Sequence, residues 1–171
     1  MYISYKFILL DTVQDVRYSA KMTSVKIRQV TPDDKAEWLR MRIALWTRHK
    51  PKELEQELDK LLANQEKEPV FVAERPDKGL CGFIEVSIRE KAKGCKTKNV
   101  GYIEGWYVDS DMRQKGIGRM LVQEAENWAY NQGCQEMASD TTNNYPISRT
   151  AHKSLGYEEV EISFHYRKTL K

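Results

Sequence analysis

"DMRQKGIGRML" occupies residues 111–121 and directly follows the apolar run "VGYIEGWYV" at 100–108. A strand-like run, two glycines one residue apart and then helical spacing make a strand–loop–helix unit. Glycine removes the Cβ that keeps an anion away from backbone N–H groups, and it reaches backbone angles that turn several of them to one side. A helix start adds unpaired N–H groups and the positive end of the dipole. Arg113, Lys115 and Arg119 add full charges. Arg113, Gln114, Lys115, Gly116, Ile117, Gly118 and Arg119 therefore read as a cradle for a pyrophosphate. The P-loop spacing GxxxxGK[ST] is absent, and so is the third glycine of GxGxxG. The competing reading is an ordinary basic turn that opens a helix.

Outward from that unit, 171 residues suit one domain with a proper core. Charged residues make up 31% of the chain and mean hydropathy is −0.69, the balance of a soluble protein. A net charge of +3, with no basic run carrying interleaved aromatics, gives no case for nucleic acid. The longest apolar run near the start is "FILL", closed by Asp11, too short for a signal core or a membrane span. Cys81, Cys95 and Cys134 lack metal-ligand spacing, so no metal is expected; an odd, sparse set suits reduced thiols in the cytoplasm. Residues 1–22 show no clear period and read as a poorly ordered N-terminal extension, with Met22 a candidate natural start and an extra ordered strand the alternative. Residues 23–171 form the single domain.

The pattern predicts a strand at 25–30, then a helix start at "TPDD", where Thr31 can cap and Pro32 suits the first helical position. Trp38, Met41, Leu45 and Trp46 follow at helical spacing, and Pro51 opens a second helix with a stripe of Leu54, Leu58, Leu61 and Leu62. "VFVAE" (70–74) and "LCGFIEVSI" (80–88) read as a hairpin. After the strand at 100–108, a helix runs to about residue 132 and stops at Gly133. A strand at 134–140, a short helix near 146–154, and two further strands or one bent strand over 155–170 complete an α/β or α+β sheet.

The pattern R-x-x-G-x-G at 113–118, placed after a strand ending "WYV" and followed downstream by "LGY" at 155–157, resembles the acetyl-CoA motif of the GNAT superfamily of N-acetyltransferases. "EWLRMRIALW" (37–46), "GFIEVSIR" (82–89), "YIEGWYVDSDMRQKGIGRMLVQEAENWAYNQGCQEMASDT" (102–141), "HKSLGYEE" (152–159) and "YRK" (166–168) resemble bacterial aminoglycoside 6'-N-acetyltransferases. The resemblance covers about residues 25–171. It implies a mixed, mostly antiparallel sheet of six to seven strands with about four helices, whose fourth and fifth strands splay apart. It further implies transfer of an acetyl group from acetyl-CoA to the 6'-amine of an aminoglycoside, by direct amine attack on the thioester, giving antibiotic resistance. A homodimer is allowed; nucleic acid and membrane are not expected partners.

Such a transfer must hold the pyrophosphate, polarise the thioester carbonyl, deprotonate the amine and neutralise the departing thiolate. The resemblance places a bulge near Gly105–Val108, where main-chain N–H groups of Trp106, Tyr107 and Val108 would meet the cofactor; Gly105 is otherwise a packing glycine. Glu104 is out of place in so apolar a strand and is the candidate to bind the ammonium and accept its proton, a solvent-facing residue being the alternative. Glu85 has a weaker claim. Asp140, in "SDT" (139–141), would hold a second ammonium or else cap the next segment. His152 stands where the resemblance puts the acid for the thiolate; packing is its alternative, and Tyr157 and Tyr166 are weaker candidates. Trp46 would flank the drug or pack in the core. A helix over 52–68, with six acids against three lysines, would draw in a polycation, a merely solvated face being the alternative. Two features depart from the subfamily: "EKAKGCKTKN" (90–99) has four lysines and no aromatic, and Thr47 rather than proline follows Trp46. A lysine-rich loop beside the substrate suits a polycation poorly. The rival activities are a GNAT enzyme acting on a polyamine or a protein N-terminus, and a non-catalytic acyl-CoA-binding module.

Overall fold

The computed structural model describes residues 25–142, 145–162 and 166–169. The expected N-terminal extension at 1–22 lies outside the described residues. Strand β1 (Lys26–Gln29) leads through a 3-10 turn, Pro32–Asp34, into α1 (Lys35–Leu45). Thr31 and Asp34 form the capping box anticipated at "TPDD", and Arg28 clamps Asp34 through two hydrogen bonds of 2.6 and 2.9 Å. Helix α2 (Pro51–Ala63) follows, then β2 (Val70–Glu74), β3 (Leu80–Arg89) and β4 (Val100–Val108). After a 3-10 turn at Ser110–Met112 come α3 (Ile117–Asn131), β5 (Met137–Ser139) and α4 (Pro146–Ser154).

The five strands lie in chain order, antiparallel except for the parallel β4–β5 pair. β2 and β3 are joined by a short turn, β3 and β4 by a loop, and β1 and β2 pair antiparallel across α1 and α2, whereas the parallel β4–β5 pair requires the α3 crossover. Side chains of one strand point alternately to the two faces, which splits the core in two. Val70, Val72 and Phe83 pack with Trp38, Met41 and Leu58 from α1 and α2. Phe71, Ala73 and Ile84 pack with Ile117, Leu121, Val122 and Ala125 from α3. The result is a three-layer α/β/α domain in which strands apolar on both faces are buried on both faces.

Two expectations need correction. The sheet has five described strands rather than six to seven: residues 157–162 and 166–169 carry no strand, and residues 163–165 lie outside the described residues. Residues 160–161 turn instead to the lysine-rich loop, where Lys93 Nζ bonds Glu161 Oε1 at 2.7 Å. The acidic run read over 52–68 is only partly helical. Helix α2 stops at Ala63, so Glu66 and Glu68 sit in the turn beyond it.

Strands β4 and β5 pair only from Gly101↔Met137 to Ile103↔Ser139. Beyond Ile103, β4 runs on to Val108 without β5 beside it. This is the splay implied by the resemblance, and it leaves main-chain groups of residues 104–108 on an open edge.

Candidate active site

The open edge of β4 ends at the glycine turn before α3. Gln114 and Gly116 both have left-handed backbone, with φ of +59° and +79°. Gly116 is the N-cap of α3, and no side chain caps that helix end. The first N–H groups of α3 are therefore left for a ligand. The three basic side chains are tied back onto the frame. Arg113 Nε donates to Val108 O at 2.9 Å, Lys115 Nζ to Asp111 O at 2.7 Å, and Arg119 Nη2 to Ser154 O at 2.9 Å. They supply field to the turn while bracing it. Gly118 also has a packing reason to be small. A Cβ there would lie 2.8 Å from Trp106 Cζ2, so the residue is small to seat an indole. An ion network around the buried Asp109 anchors the strand end: Arg40 and Arg75 both bond Asp109, and Arg75 also bonds Asp111. Burial works to raise the Asp109 carboxyl, but the two guanidinium groups hold it below the usual range.

The bulge in β4 falls at Glu104, one residue before the expected segment. Glu85 pairs with Gly105 and Val86 with Ile103, which leaves Glu104 as the extra residue. Its effect is visible in the core. Ile103 and Trp106, an odd step apart, both face α3. Gly105 is the packing glycine: a Cβ there would meet Trp46 Cζ2 at 2.6 Å.

Glu104 is exposed at the mouth of a cavity of about 560 Å³ that also touches Trp46, Glu57, Glu85 and Arg89. Ser87 Oγ donates to Glu104 Oε1 at 2.6 Å; Arg89 donates Nε to Oε1 at 3.0 Å and Nη2 to Oε2 at 2.5 Å. Trp46, the C-cap of α1, serves both readings given to it. It packs on Phe83 with ring centroids 6.0 Å apart and lines the cavity. Asp140 accepts a short hydrogen bond from Tyr102 Oη, and the Arg89 guanidinium stacks 3.3 Å over the Tyr102 ring. Glu104 and Asp140 are thus joined through Arg89 and Tyr102, a connection the sequence reading did not contain.

Glu85 is buried at the back of the same cavity. It accepts from Trp38 Nε1 at 2.9 Å and faces Arg42, whose Nε stands 3.4 Å away without a hydrogen-bond partner among the described residues. Burial pushes the Glu85 carboxyl up to about 7, against the pull of Arg42. A carboxyl raised on folding binds its proton more tightly in the native state, so its contribution to stability is complete below its ordinary value near 4.5 and is lost as pH rises through 7. Glu85→Gln is therefore expected to flatten the fall in Tm between pH 5 and pH 8. An unchanged slope, measured by calorimetry on both proteins, would remove Glu85 as its source.

His152 sits on α4 between two rings, edge-on to Trp106 and to Tyr157 at 5.5 Å each. Its Nδ1 lies 2.8 Å from Ser148 O, which can only accept, so Nδ1 carries the proton. The buried Nε2 has no partner among the described residues. Tyr157 Oη donates to Glu126 at 3.0 Å, and burial first, then Glu126, raises its pKa. Tyr166 is 92% exposed. Among the described residues no group of carboxylate, His and Cys side chains is placed to hold a metal ion.

Residues 35–157 match the acetyltransferase (GNAT) family. Aminoglycoside N(6')-acetyltransferase type 1 of Klebsiella aerogenes is 39% identical over 150 residues, 86% of this chain and 99% of that protein. The protein of the same name from Stenotrophomonas maltophilia is 37% identical over 147 residues, 85% of this chain and 94% of that one. The structure of AAC(6')-Iy with the bisubstrate analog CoA-S-monomethyl-acetylneamine superimposes with a TM-score of 0.76 at 33% identity, covering 85% of this chain and 99% of that one. Apo AAC(6')-Ig from Acinetobacter haemolyticus gives 0.77 at 32% identity, with 85% and 99% coverage.

Proposed function

The chain belongs to the GNAT family of acetyltransferases, and from that premise we infer that it transfers an acetyl group from acetyl-CoA to the 6'-amine of aminoglycoside antibiotics. The observation that carries the reading is one continuous surface. An uncapped helix start with left-handed Gln114 and Gly116 opens onto the free edge of β4, which leads to a carboxylate-lined cavity at Glu104. The residues fit the co-substrate: backbone N–H groups of residues 114–119 suit a pyrophosphate, and an open strand edge suits an extended amide chain.

Acetyl-CoA supplies an activated acyl group as a thioester. The protein's part is to position, polarise and move protons. A main-chain N–H at Trp106, Tyr107 or Val108 would polarise the carbonyl on the open edge. Glu104 would hold the ammonium and take one proton, directly or through water, before the freed lone pair attacks; the second N–H proton, shed as the tetrahedral intermediate collapses, would balance the one given to the departing thiolate. Asp140 would hold a second ammonium, and Trp46 would flank the sugar. His152 would give the departing thiolate its proton. The bare Nε2 requires that His152 be loaded as the imidazolium for this step. His152→Ala is expected to lower kcat by about 10²-fold, the low end for proton transfer, with the acetyl-CoA Kd near wild type. Full specific activity with a lowered Tm would instead assign His152 to packing between Trp106 and Tyr157.

A thiol-release assay with kanamycin, spermidine and a short peptide tests the reading. Kanamycin should be turned over with the highest kcat/KM; preference for spermidine or the peptide would overturn it. Among the described residues no helix is long and apolar enough to cross a membrane. Cytoplasmic placement, where acetyl-CoA is made, and a homodimer complete the proposal, the latter to be read by sedimentation.

A further inference from the structure

Arg89 lies at the centre of the acceptor site with no role yet. Its guanidinium bonds both oxygens of Glu104 and stacks on Tyr102. The hydroxyl of Tyr102 is bound to Asp140, and the Asp140 charge acts on Arg89. The order is carboxylate, cation, aromatic, carboxylate. Both ends are the groups assigned above to substrate ammonium ions.

A purely structural ion pair explains this arrangement poorly. Side chains of Arg89 and Glu104 are 43% and 36% exposed, and a pair so open to water adds little to folding. The contrast is Arg42, 4% exposed, which bonds Glu57 and faces Glu85 beneath the cavity and cannot leave without stranding a buried charge. Arg89 can swing out at small cost, and any cation that replaces it restores the same charge balance.

We propose that Arg89 is a specificity-determining residue whose guanidinium occupies the acceptor's ammonium subsite and is displaced when an aminoglycoside binds. The inference rests on the aminoglycoside reading of this site. Binding is an exchange of one cation for another at Glu104, so uncharged sugars do not compete. After transfer the amide carries no charge, and Arg89 reclaims Glu104. Arg89 thus discriminates against neutral ligands and against the acetylated product, at the expense of affinity for the substrate.

Arg89→Met keeps the stem over Tyr102 and removes the charge. It should lower the kanamycin Kd, measured by calorimetry, by about two- to fivefold, the range of an exposed ion pair. Arg89→Lys, which retains the cation, should stay near wild type, and the acetyl-CoA Kd should not move in either. A Kd for kanamycin that is unchanged or raised in Arg89→Met would overturn the proposal, since it would make Arg89 a bystander or a direct contact to the drug. The wild-type protein gives a second reading that needs no variant. The Nε–H resonance of Arg89 should lose its hydrogen-bonded shift as kanamycin is added, and persistence of that shift at saturation would also overturn it. Failure of wild type to acetylate kanamycin would remove the function and this inference together; turnover with an unmoved Arg89 removes the inference alone.

Discussion

Glu104→Gln lowers kcat for kanamycin by about 10²–10⁴-fold, the usual cost of losing a positioned general base. The substitution keeps shape and volume. It also keeps an oxygen to accept from Ser87 Oγ, now 2.6 Å away, so the bulge should survive. The amide cannot accept the ammonium proton, and it offers no charge to hold the amine. Glu104 is exposed, so stability should change little. The acetyl-CoA Kd should also hold, because the pyrophosphate turn lies at the far end of β4. The measurement is kcat and KM against pH, with acetyl-CoA affinity by calorimetry. A variant within a few-fold of wild type across the pH range would show that Glu104 is not the base.

Gly116→Val weakens acetyl-CoA binding by about 10- to 100-fold. The estimate follows from backbone strain. Gly116 sits at φ +79°, and a β-branched residue held in left-handed backbone costs about 1–3 kcal/mol. Release of that strain turns the N–H groups out of the cradle. Gly116 is exposed, so the core is untouched and the domain should remain folded. Gly116→Asn is the control, since asparagine tolerates left-handed backbone better than other side chains and should keep more of the affinity. Unchanged affinity in a folded Gly116→Val protein would sink the cradle.

The elements that local chemistry decides were legible in the sequence. The capping box at Thr31 and Asp34, the proline start of α2, and the glycine turn before α3 all stand where short-range signals put them. Strand β5 came out shorter than 134–140 because Cys134 is still occupied with the end of α3, its N–H bonding Ala129 O at 3.0 Å. The failures share a cause in tertiary contact. Gly105 looks like the bulge residue until Trp46 is seen against it, and no local signal shows that Gly118 also makes room for Trp106. The bulge at Glu104 shifts the alternation of β4, and no local signal shows which residue is the extra one. Arg89 and Glu104 are paired across that bulge, so their contact could not be counted out from strand spacing. Glu85 carried a weak claim because its burial depends on Trp38 and Arg42, 47 residues away in the case of Trp38.

The central claim is acetyl transfer to one particular amine, and the product reports on it most directly. Incubated with acetyl-CoA and kanamycin, the protein should release one thiol for each acetyl group found on the drug. Nuclear magnetic resonance of the purified product should place that group on the 6' nitrogen alone. An acetyl group on any other nitrogen, or thiol release without acetylated kanamycin, would contradict the account.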